Sequence, residues 1–214
     1  MVASLDVLSG GRVTLGVGVG WLKEEFEALH SPDFARRGAV TDEWITIFKQ
    51  LWTQSPASFS GAFYSYANIR AEPLPLQEPH PPIWVGGHSR AALRRTARHG
   101  DGWHPVGAIA ASPLPPQEMR QHLDTLKRLT EAEGRDFSAL TISYKAPLYD
   151  TAIPDRDGTR RSFSGSAEDI AGDIRALAAI GVHELILDFR GASIAESIER
   201  LQRFAADAIP LVGD

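Results

Sequence analysis

The chain has 214 residues, 43% hydrophobic and 23% charged, with a formal net charge of -5. That composition excludes wholesale disorder, and the mild acidity argues against a nucleic-acid binder, whose surface must offset phosphate charge. Cysteine is absent, which removes disulfides, thiolate zinc sites and cysteine nucleophiles together. No apolar run approaches the roughly 20 residues of a membrane-spanning helix. Met1-Val2-Ala3-Ser4-Leu5-Asp6 lacks the basic region and apolar core of a signal peptide. The expectation is a single cytoplasmic globular domain over residues 1–214, with neither a membrane nor a nucleic acid as partner.

Val2, Leu5 and Leu8 share a helical face that Gly10-Gly11 brings to a left-handed stop. So short a helix is marginal alone, and the expectation is that the chain begins in the last turns of an element whose start is missing. Arg12 to Gly20 reads as a strand with Val13, Leu15, Val17 and Val19 on one side and Thr14, Gly16 and Gly18 on the other. A bare, uncharged second face suits a barrel interior or a close backbone contact. A helix is predicted from about Phe34 to Trp52, with Trp44 and Trp52 on its core stripe, then a small hairpin over Ser58–Tyr64 turning near Ser60-Gly61. Pro73, Pro75, Pro79, Pro81 and Pro82 enforce an extended connector.

From Ile83 the pattern alternates. Strands are predicted at Ile83–Val85, Asp101–Pro105, Leu140–Leu148 and Glu184–Phe189. Helices are predicted at Ser89–His99, Pro116–Glu133, from Ser166 to Gly181, and Ile194–Ala208. Ser166 with Asp169 resembles a capping box. Asp150–Arg161, rich in charge and turn formers, is expected as a mobile loop. Strand-helix alternation calls for a parallel sheet, so the fold class is α/β.

The segment that most invites chemistry is Ile83-Trp84-Val85-Gly86-Gly87-His88-Ser89. Two glycines let the backbone approach a ligand without a Cβ, and the following helix start offers free amides and a positive dipole end. Ser89 can cap the helix or donate its hydroxyl to a phosphate oxygen. An ordinary strand-to-helix turn gives the same local pattern. Gly16-Val17-Gly18-Val19-Gly20 fails the dinucleotide spacing, because position 21 is Trp21, and no acidic residue closes a second strand where that fold needs one. His88 and His104 each follow a strand, at the end where parallel sheets place ligands. No histidine pair or carboxylate cluster has metal spacing, and no Gly-x-Ser-x-Gly elbow is present.

Taken together, Leu5-Asp6-Val7-Leu8-Ser9-Gly10-Gly11-Arg12, Leu15-Gly16-Val17-Gly18-Val19-Gly20-Trp21, Phe59-x-Gly61-x-Phe63-Tyr64, Pro81-Pro82-Ile83-Trp84-Val85-Gly86-Gly87 and Gly100-Asp101-Gly102-Trp103-His104-Pro105 resemble the bacterial luciferase-like family of flavin- and deazaflavin-dependent oxidoreductases. The wording is most similar to the branch that uses coenzyme F420. The resemblance implies a (β/α)8 TIM barrel, here incomplete, with the first three βα units absent and the open edges covered by a homodimer or by units that a late gene start has removed. It implies a cofactor phosphate on Gly86, Gly87, His88 and Ser89, with ring or tail contacts from Gly18, Gly20, Trp103 and His104. The implied cofactor is F420, or alternatively FMN, and the partner a small-molecule substrate. A non-catalytic remnant that keeps the cofactor pocket is a further alternative. No catalytic residue carries over, and no metal is expected.

Overall fold

The computed structural model describes residues 1–155 and 157–213. Its elements are α1 (Val2–Ser9), β1 (Leu15–Val17), α2 (Lys23–Ala28), α3 (Arg37–Thr53), β2 (Ala57–Ser60), β3 (Ser65–Ile69), β4 (Ile83–Gly86), α4 (Arg90–His99), β5 (Gly102–His104), α5 (Pro116–Ala132), β6 (Thr141–Pro147), α6 (Ala167–Ala178), β7 (Glu184–Asp188), α7 (Ile194–Arg203) and α8 (Ile209–Val212). Five strands form one sheet in the order β1-β4-β5-β6-β7, every pair parallel, and β2-β3 is a separate antiparallel hairpin.

The local reasons are legible. Gly10 ends α1 at φ 70°, the left-handed conformation that favours glycine. Ser89 caps α4 by accepting from the Ala92 amide. Ser166 and Asp169 form a full capping box on α6. Three expectations need adjusting. The strand expected from Arg12 pairs only over Leu15–Val17, and α2 carried no periodic signal. The helix expected over Ile194–Ala208 breaks into α7 and a π-turn over Phe204–Ala208. The loop expected over Asp150–Arg161 includes Arg156, which lies outside the described residues. Across it, Arg161 Nε donates to Asp155 at 2.7 Å.

Strand alternation gives the sheet two unlike faces. Val85, Trp103, Ile142, Tyr144 and Ala146 point into the helix layer, where most of them join Leu93, Met119, Leu126 and Phe163 in the main core. A second cluster of Ala3, Ile45, Trp52 and Ile83 packs against Leu15 and Val17. The opposite face carries Gly16, Trp84, Gly86, His104, Ser143, Lys145, Glu184 and Asp188, most of them half-buried, with Ser143 fully buried and Gly16 and Glu184 exposed. Gly102 has a packing reason: a Cβ there would lie 2.5 Å from the Trp84 ring.

Asp6, with no exposed surface, fastens α1 to the proline connector. It accepts from the Leu76 and Gln77 amides at 2.8 and 3.0 Å and from Gln77 Nε2 at 2.7 Å. Burial works to raise its pKa, but the bonds from Gln77, Leu76 and Val13 win and hold the carboxyl below its ordinary value. No described helix is long and apolar enough to cross a membrane.

Candidate functional site

The site begins where β4 runs into α4. Gly87 sits at φ 84°, and a Cβ on Gly86 would project between the carbonyl oxygens of Val17 and His104 at 3.5 and 3.7 Å. That space is open to a ligand only because the side chain is hydrogen. Ser89 Oγ accepts from the Ala92 amide at 3.2 Å, which uses a lone pair and leaves the hydroxyl hydrogen for a ligand. The first intrahelical bond runs from the Leu93 amide to Ser89 O. The Arg90 and Ala91 amides therefore precede the ladder and remain available as donors.

Around this turn lies a cavity of about 330 Å3, lined among others by Gly18, Arg37, Gly86, Gly87, Ser89 and Arg95. Its two arginines differ. Arg95 is buried, and its charge is spent on Asp42 Oδ1 at 2.5 Å while it also donates to Gly38 O at 2.9 Å, clamping α4 to α3. Arg37 is braced only by carbonyls, those of Gly20 at 3.3 Å and Phe34 at 2.9 Å, and by the Phe34 ring 3.9 Å beneath its guanidinium. Among the described residues it has no carboxylate partner, so its charge is available to an anion in the cavity.

One strand over, the face of the sheet opposite the helix layer holds a second group. His104 Nδ1 lies 2.6 Å from Ser143 Oγ, and Ser143 Oγ lies 3.3 Å from Trp103 O. The serine has one hydrogen, so both contacts are hydrogen bonds only if Nδ1–H donates to Oγ and Oγ–H donates to Trp103 O. That assignment leaves Nε2 as an acceptor. Burial pushes the His104 pKa down, Lys145 adds to the effect and Glu184 opposes it. The ring is therefore neutral near pH 7. The Trp84 ring lies 5.9 Å away, centroid to centroid.

The expected residues do not all converge. Gly18, Gly86, Gly87 and Ser89 line one cavity. Gly20 does not, and a Cβ there would lie 2.6 Å from the Phe26 ring, so its absent side chain serves packing. Trp103 is fully buried and faces the helix layer, contrary to the expected ring contact with a ligand. Its indole N–H instead holds Gly87 O at 2.7 Å. His88 lies against His122, with ring centroids 5.6 Å apart and the rings tilted, outside the cavity. His104 stands on the adjoining sheet face.

A family model described as luciferase-like monooxygenase matches residues 1–152. The chain belongs to that family. It is 29% identical to an FMNH(2)-dependent dimethylsulfone monooxygenase of Pseudomonas putida, an alignment covering 99% of this chain and 69% of that protein. It is 41% identical to an uncharacterized protein of Mycobacterium tuberculosis over 62% of this chain, which amounts to 42% of that protein's length. An F420-dependent secondary alcohol dehydrogenase, solved with an F420-acetone adduct, shares the fold with a TM-score of 0.74 at 17% identity, over all of this chain and 73% of that one.

Within this luciferase-like chain, sequence reasoning missed Arg37, Ser143 and Lys145. Arg37 could have been found as a cation at the start of a strongly periodic helix. Ser143 and Lys145 gave a weaker signal, the polar positions of an otherwise apolar strand.

Proposed function

We propose that the protein belongs to an oxidoreductase that moves a hydride between bound coenzyme F420 and a small organic substrate. The observation that carries this reading is the Gly86–Ser89 turn facing the unpaired guanidinium of Arg37 across one cavity. Gly86 and Gly87 allow close approach. The Ser89 hydroxyl and the Arg90 and Ala91 amides donate to the phosphate, and Arg37 balances its charge. Gly18 forms the facing wall. When bound, the deazaflavin supplies the hydride chemistry. Nε2 of His104, one strand spacing from Gly86, accepts a hydrogen bond from a hydroxyl of the occupant, and Lys145 gives the same face a positive charge.

The same reading takes the five parallel strands as part of a (β/α)8 barrel, with the polar face as its interior and three βα units outside this sequence. The coverage of 69% and 73% of two relatives supports it.

A second reading, FMN-dependent oxygenation, is favoured by the similarity to the dimethylsulfone monooxygenase, which extends over 99% of the chain. Titrating the purified chain with F420 and with FMN by fluorescence, beside a Gly87→Val control, tests both. Saturable binding of F420 that the variant loses supports hydride transfer. Selective FMN binding with rapid oxidation of the reduced form by oxygen supports the alternative. Binding of either cofactor that the variant leaves unchanged rules out the phosphate assignment.

A further inference from the structure

We infer that the groove between α5 and α6 binds a small monocarboxylate with an apolar body. The site does not depend on the cofactor reading. It lies where β6 and β7 begin, whereas the glycine turn follows the end of β4.

The groove holds a cavity of about 330 Å3, within the roughly 300–1,000 Å3 of small-molecule pockets. Its floor is apolar. Leu123, Leu140 and Ile142 belong to the main core, and the half-buried Phe137 and Ile180 pack against it. Gly181 adds open space, since a Cβ there would meet no atom within 4 Å. One wall is charged. Arg120, Asp124 and Lys127 project from one side of α5 at the spacing that favours helix ion pairs. Among the described residues none of the three side chains forms one, so the wall presents two unpaired cations against one carboxylate. His183 supplies a directed donor. Its Nδ1 accepts from the Ile142 amide at 3.0 Å, while its own amide donates to Ile142 O at 2.7 Å. A backbone N–H can only donate, so Nδ1 keeps its lone pair and the ring hydrogen sits on Nε2. That N–H has no acceptor among the described residues.

The chemistry of the occupant follows. A wholly apolar molecule leaves the His183 N–H and both cations without an acceptor. A bare anion leaves the floor of Leu123, Phe137 and Ile142 in water, forgoing the gain from covering it. A carboxylate on a body of several carbons answers both. Its carbons cover the floor, and its oxygens accept from Nε2–H of His183 and from Arg120 or Lys127 in charge-assisted bonds.

NMR titration of the full chain with octanoate, 1-octanol and acetate tests this. Octanoate is expected to bind saturably and at least about tenfold tighter than either of the others, and its advantage over 1-octanol should shrink with added salt. The resonances that move should be those of Ile142, Ile180 and His183, with Gly86–Ser89 unaffected. Arg120→Gln with Lys127→Gln should bring octanoate within about twofold of 1-octanol. Both residues are exposed, so the melting temperature should not change. Arg94→Gln, an exposed arginine outside the groove, serves as the charge control and should have no effect. Absence of saturable octanoate binding, affinity no better than that of 1-octanol, shifts centred away from the groove, or an equal loss in the Arg94 variant overturns the inference. Each of these outcomes leaves the cofactor reading standing, because none concerns the glycine turn.

Discussion

The indole N–H of Trp103 donates to the carbonyl oxygen of Gly87 at 2.7 Å, tying a fully buried core side chain to the residue whose positive φ shapes the turn between β4 and α4. The bond gives Gly87 O a partner, and its direction fixes how the peptide after Gly87 faces the cavity. Trp103→Phe keeps most of the packing and removes the donor. It should cost about 1–3 kcal/mol of stability and weaken cofactor binding severalfold. Unchanged affinity in calorimetry would show that the turn holds its shape without the indole.

Arg37 is the charge in the cavity that no acid among the described residues neutralises. Arg37→Gln should raise the cofactor Kd by about tenfold or more, in line with loss of a charge-assisted contact of roughly 1.5–3 kcal/mol. The variant's affinity should also respond less to added salt. Binding measured at two ionic strengths checks both, and an undiminished salt response would assign the phosphate charge to another residue.

For His104 the expectation concerns proton position as well as affinity. Nitrogen NMR should find the neutral ring protonated on Nδ1, with a titration midpoint below the ordinary histidine value of about 6.5, since burial first and Lys145 second disfavour the cation. Ser143→Ala removes the Nδ1 acceptor and should yield a mixture of tautomers. Because the folded ring takes a proton less readily than the unfolded chain, its contribution to stability is present above the unfolded pKa. It declines as pH falls through that value toward the lower folded one. A midpoint above the ordinary value would refute the assignment.

Asp6 joins α1 to the proline connector through a carboxylate that accepts from two backbone amides and one side-chain amide. Asp6→Asn places a donor where acceptors are needed and should destabilise the chain by about 1.5–3 kcal/mol. The folded pKa of Asp6 is depressed. Its stabilisation is therefore present above the unfolded carboxylate value and disappears as pH falls through the folded one. Melting temperatures between pH 3 and 7 should converge for wild type and variant at the acid end.

The hairpin shows how a motif becomes physics only in three dimensions. Glu43, in the middle of α3, accepts from the amides of Ala62, Phe63 and Tyr64 at 2.7–3.2 Å. A Cβ on Gly61 would come within 2.4 Å of that carboxylate. The spacing Phe59-x-Gly61-x-Phe63-Tyr64 was legible as a turn and as a family likeness, while its anchor, some 20 residues earlier, was not.

Short-range signals determined much of this protein by themselves. Helical spacing, the Ser89 and Ser166 caps, the left-handed stop at Gly10 and the paired glycines after Ile83-Trp84-Val85 placed most elements and singled out the turn at Gly86–Ser89, because each acts over a few residues of backbone. What the tertiary structure decided is lateral. Parallel register set His104 beside Ser143, 39 residues further on, and sent Trp103 inward while its neighbour faced out. The packing of α3 against α4 spent Arg95 on Asp42 and left Arg37 without an acid among the described residues. No local pattern encodes these outcomes, since they depend on which strands and helices pack side by side and in what register.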